Sequence, residues 1–91
     1  MTICVMNADP DVMRRAASMD PVDQQPRDHD FEWQKHLGGK LMSKDNMLKE
    51  MERVYKQRPG FGSRGGNKPE DTASRSYNWW KKRGVITEIN S

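Results

Sequence analysis

A single cysteine, Cys4, leaves no partner for an internal disulfide, and a reducing, cytoplasmic setting is the economical expectation. Histidine is nearly as scarce. His29 and His36 stand seven residues apart with no CxxC or HxxxH pattern around them, so a zinc centre is not expected. No apolar run approaches the roughly 18 residues of a membrane span, and Met1 to Met6 lacks the basic lead of a secretion signal. Large aliphatics are also few. Leu, Ile, Val and Phe together number 13 of 91 residues, below the roughly 20% at which disorder becomes a concern. A core built from so little is thin, and an isolated domain of this length has marginal stability.

Catalytic patterns are missing as well. There is no Gly-x-Ser-x-Gly elbow, and no context marks Cys4 as an activated nucleophile. Asp28 and Asp30 are paired carboxylates, but they fall in a polar stretch where burial is not expected to tune them. Gly38-Gly39 and the glycine-rich 60–66 segment lack the Lys-Ser/Thr of a phosphate-binding loop. The expectation is a protein that is not an enzyme, with no cofactor, no metal and no small-molecule substrate.

What the chain does have is charge, unevenly placed. Residues 1–31 carry six Asp against three Arg, whereas 53–83 carry nine basic residues against two acidic ones, Glu70 and Asp71. An acidic arm over 1–30 and a basic body over 31–91 follow from that division. Seven methionines add soft apolar surface suited to packing on a partner.

The predicted fold class is mainly α: a small domain of two to three helices with a long, mostly irregular acidic N-terminal arm. Asp9-Pro10 opens a possible short helix over 10–18, with Val12, Met13, Ala16 and Ala17 as a narrow stripe. Ile3-Cys4-Val5-Met6 is too short a run to decide between a strand and an anchor. Residues 20–30, with Pro21 and Pro26, read as a linker. Phe31, Trp33, Leu37 and Leu41 form a loose ridge that Gly38-Gly39 breaks. A helix over 43–57 is marked by Met47, Leu48, Met51, Val54 and Tyr55, all on one side.

The last predicted helix covers 67–83. Asn67 and Glu70 have the spacing of a capping box, Pro69 suits the first turn, and Gly84 suits a left-handed stop with Val85 folding back on Trp80. At about 100° per residue, Ala73, Tyr77, Trp80 and Gly84 share one side, expected to pack with Tyr55 and its neighbours. Arg75, Asn78, Trp79 and Lys82 lie on the other. An indole among cations is what a nucleic-acid surface uses: charge for phosphate and a ring for a base. An equally ordinary role for Trp79 is packing under another part of the chain or against a protein.

Trp80-Lys81-Lys82-Arg83-Gly84-Val85 resembles the close of recognition helices in bacterial and phage helix-turn-helix proteins. That resemblance implies DNA contact by the residues just before it. It covers only these six residues, and the gap from Arg58 to Asn67 is far longer than the three- or four-residue turn of that motif. The contact set expected from charge and position is Arg58, Arg64, Lys68, Arg75, Asn78, Trp79, Lys81, Lys82 and Arg83. Nucleic acid is the favoured partner. The competing reading is a small inhibitor, adaptor or assembly protein, phage or viral in style, that binds an acidic or nucleic-acid-handling protein.

Overall fold

Ser43 closes a strand and opens a helix in the same position: its hydroxyl accepts the Asn46 N–H at 3.2 Å, so an N-cap directly follows the sheet. The computed structural model describes residues 2–18, 26–57 and 68–90. In chain order these form β1 (Thr2–Met6), α1 (Pro10–Ala17), α2 (Asp28–Leu37), β2 (Leu41–Ser43), α3 (Lys44–Gln57), α4 (Pro69–Lys82) and β3 (Ile86–Asn90). The molecule is mainly helical, with a small sheet that composition did not announce. Four helices stand among the described residues, where two to three were expected.

The sheet is antiparallel in the order β2-β1-β3. Its middle strand therefore comes from the first residues of the chain. Cys4 faces Met42 on one side and Glu88 on the other, and Met6 faces Ile86. Alternation along the strands sends Cys4, Met6 and Ile86 to one face, where all three are buried against the helices. Within residues 1–30, set apart by charge as an arm, Thr2–Met6 is this central strand and Pro10–Ala17 is helical, with Met13 and Ala17 buried. The expected linker over 20–30 is helical from Asp28 onward, while 19–25 lie outside the described residues.

The predicted core is present. Met47, Met51, Val54, Tyr55, Tyr77 and Trp80 are buried, and Leu48 packs beside them half-buried. Trp33 joins them fully buried, its Nε1 donating to the Met51 carbonyl at 2.7 Å. Because an indole N–H must find an acceptor when it leaves water, that bond fixes α2 against α3.

Gly38 ends α2 where two segments nearly touch. A Cβ at this position would lie 2.5 Å from the Gln34 carbonyl oxygen and 2.7 Å from the Ala8 Cα. The pair Gly38-Gly39 thus serves close backbone approach, with Gly39 N donating to the Met6 carbonyl at 2.7 Å. Gln34, buried, donates through Nε2 to the Asn7 and Asp9 carbonyls at 2.7 and 3.0 Å and so satisfies the turn between β1 and α1. No helix among the described residues is long and apolar enough to cross a membrane.

Candidate nucleic-acid interface

α4 begins at Pro69, with Lys68 in the N-cap position, one residue later than the capping-box spacing suggested; Asn67 lies outside the described residues. Its exit is as expected. Gly84 has φ of +84°, Val85 N donates to the Trp80 carbonyl at 2.9 Å and Gly84 N to the Lys81 carbonyl at 3.1 Å. These are the two bonds of a Schellman stop, and buried Val85 and Trp80 supply its apolar contact.

This register decides which way each cation points. Arg75 and Lys82, seven residues apart, fall within about 20° of one another around the helix and about 10.5 Å apart along it. Both are exposed, as are Asn78 and, at the head of the same row, Lys68. Exposed Glu70 and Asp71 offset the positive charge of the first turn, so the basic field is concentrated in the second half of the helix.

Trp79 lies beside this row but is half-buried, packed against the core with its ring edge-to-face on Trp80 at 4.2 Å between centroids. The Arg83 guanidinium sits over the Trp79 ring, Cζ 3.7 Å from the centroid, and Arg83 Nη1 donates to the Trp79 carbonyl at 3.3 Å. One face of the ring expected to receive a base therefore already carries a cation. The combination there is a half-buried guanidinium over a half-buried indole, next to exposed Arg75 and Lys82.

Lys81 points elsewhere. Its Nζ bonds Glu88 Oε1 at 2.8 Å, while Glu88 Oε2 accepts the Tyr77 hydroxyl at 2.7 Å. The Lys81 ammonium first, and then the Tyr77 hydroxyl, hold the Glu88 carboxyl below the usual range. Burial, then the Glu88 bond, pushes the Tyr77 phenol far above its ordinary value. Burial likewise raises the Cys4 thiol, which lies 3.6 Å from the Met47 sulfur. Lys44 Nζ stands 5.1 Å over the Tyr77 ring. The group is a polar latch between α4 and β3, and it draws Lys81 away from the row.

Of the nine expected contact residues, Lys68, Arg75, Asn78 and Lys82 thus share the exposed side of α4, with Trp79 and Arg83 stacked beside them. Lys81 is bound to β3, and Arg58 and Arg64 lie outside the described residues. Two polar anchors were not foreseen: Asp30, expected to lie in a polar stretch away from burial, is buried, and Glu88 was not singled out. The alternation of Val85, Thr87 and Ile89 was the available signal for Glu88, since it turns that carboxylate toward the helices. Among the described residues no group of three or more His, Cys, Asp or Glu side chains is placed to hold a metal ion. No family model matches the chain, and neither a curated protein nor a solved structure resembles it.

Proposed function

We propose that the protein binds nucleic acid without acting on it chemically, through the exposed side of α4. Arg75 and Lys82 contact phosphate, Lys68 extends the row, and the Trp79–Arg83 stack supplies a flat cationic surface beside them. The observation that carries this reading is that stack, because a guanidinium over an indole next to an exposed cation row joins the two elements such surfaces use. Asn78 adds a side chain with both a donor and an acceptor on the same side.

Binding of labelled single-stranded and duplex oligonucleotides, followed by anisotropy across a salt series, tests it. Affinity is expected to fall as salt rises, and Arg75→Ala or Lys82→Ala each to reduce the slope by about one unit. Lys81→Ala is expected to change the slope less, since its ammonium is held by Glu88. Binding that ignores salt, or no binding to either form, overturns the reading.

A further inference from the structure

The cation row of α4 has an acid at its head. At about 100° per residue, Asp71 lies about 40° from Arg75 and about 20° from Lys82 around the helix, one turn ahead of Arg75, and all three are exposed. Its neighbour Glu70 falls about 120° from Lys82 and belongs to another side. From Thr72 to Lys82 the helix carries no acid. Within that part, Arg75 and Lys82 stand about 10.5 Å apart along the axis. At about 3.4 Å of axis per nucleotide, this spacing matches about three nucleotides of one strand. The Trp79–Arg83 pair flanks the same half, with both side chains partly open to solvent.

Resting on the reading that α4 contacts nucleic acid, we propose that its ligand is single-stranded, with about three nucleotides lying between Arg75 and Lys82, and that Asp71 turns a duplex away.

Two properties of a duplex work against it here. Its bases are stacked on one another, so only a single strand offers a base face to the Trp79–Arg83 plane. A duplex is also stiff, with a persistence length of about 150 base pairs. Laid along the 14 residues of α4, about 21 Å, it carries phosphates past Asp71 as well as past Arg75 and Lys82. A single strand bends within a few nucleotides and leaves the helix before it reaches the acid. Helices that read a duplex enter its major groove with their N-terminal residues against the base edges. The first turn of α4 would bring two carboxylates, Glu70 and Asp71, between those walls of phosphate.

A labelled strand of about 12 nucleotides, and the same strand annealed to its complement, each titrated with the full chain at one salt concentration, test this. A plain row of cations favours the duplex for its denser charge. The single strand is instead expected to bind about tenfold more tightly. Asp71→Asn is expected to tighten duplex binding about fivefold and strand binding by less than about twofold. Glu70→Gln takes the same charge from the same turn on another side and is expected to leave the ratio as in the wild type. Duplex binding equal to or tighter than that of the strand overturns the inference and leaves the contact on α4 standing. An Asp71→Asn ratio like that of the wild type, or a Glu70→Gln ratio shifted as far, overturns it too, since the selectivity would not then come from the row. Failure of both forms to bind overturns the reading beneath it as well.

Discussion

Trp80 Nε1 donates to Asp30 Oδ1 at 3.0 Å, a bond between residues fifty positions apart that ties the start of α2 to the end of α4. The second oxygen of the same carboxylate accepts the Arg27 backbone N–H at 2.9 Å and so caps α2. His29 Nε2 stands 3.6 Å from Oδ1, with its ring edge-on to Trp33 and Tyr55. One buried acid therefore satisfies an indole and a helix end, with an imidazole close by.

Replacing Asp30 by Ala leaves the Trp80 N–H buried without an acceptor and removes the cap together. The expected loss is about 2 to 4 kcal/mol, measurable by urea unfolding. Asp30→Asn retains one acceptor oxygen and is expected to lose about half as much. An Ala variant as stable as the wild type would mean that the indole finds water instead.

α3 and α4 were legible because their signals are local, whereas α2 was not foreseen. α3 declares itself in the stripe from Met47 to Tyr55, and the Gly84 stop of α4 needs only the residues around it. The sheet was not legible, because its pairing is remote: Ile3 lies against Ile89, at the far end of the chain. Val5 and Ile3 are as apolar as Cys4 and Met6, so β1 shows no alternation to mark it as a strand with one open face. Asp30 was hidden for a related reason. It sits among polar residues and is buried only because Trp80 arrives from elsewhere. At the candidate interface, position on the helix gave the direction of Arg75 and Lys82, whereas Arg83 lies beyond the last helical residue and its fold back over Trp79 depends on the stop itself.

Two glycines separate sterics from backbone preference. At Gly38 an added methyl meets backbone atoms at 2.5 and 2.7 Å, neither of which can swing aside. Gly38→Ala is expected to cost more than about 2 kcal/mol. At Gly84 nothing lies within 4 Å of the added carbon and the strain is that of φ +84° alone. Gly84→Ala is expected to cost about 1 kcal/mol. Paired thermal melts check the order, and a reversal would place the tight contact elsewhere.

Acid and alkali act on the α4–β3 latch from opposite sides. The Glu88 carboxyl is depressed by Lys81 and Tyr77, so its contribution is whole above the unfolded Glu value of about 4.3 and is lost as pH falls through the lower folded value. Tyr77 and Cys4 are raised, so their contributions are whole at neutral pH and shrink once the unfolded groups ionise, from about pH 8.5 for the thiol and about 10 for the phenol. Melting temperature against pH is expected to fall at both ends. Glu88→Gln should flatten the acid limb and Cys4→Ala the first part of the alkaline limb. Phenolate absorbance that develops before unfolding would show Tyr77 to be open to solvent.

Arg83 distinguishes charge from shape at the proposed interface. Its guanidinium covers one face of the Trp79 ring, so a base approaching from that side would stack on the cation, extending the pile by one plane. Arg83→Lys keeps the charge and removes the plane. Since stacking is worth about 1 to 3 kcal/mol per base, Arg83→Lys is expected to weaken binding of a single strand by about fivefold or more with the salt slope unchanged. Arg83→Ala should lower both affinity and slope. On an abasic strand of equal length, Arg83→Lys and the wild type are expected to bind alike, because only phosphate is left to recognise. If Arg83→Lys instead matches the wild type on the base-bearing strand, the Trp79–Arg83 pair only packs the end of α4, and contact with nucleic acid falls to Arg75 and Lys82 alone.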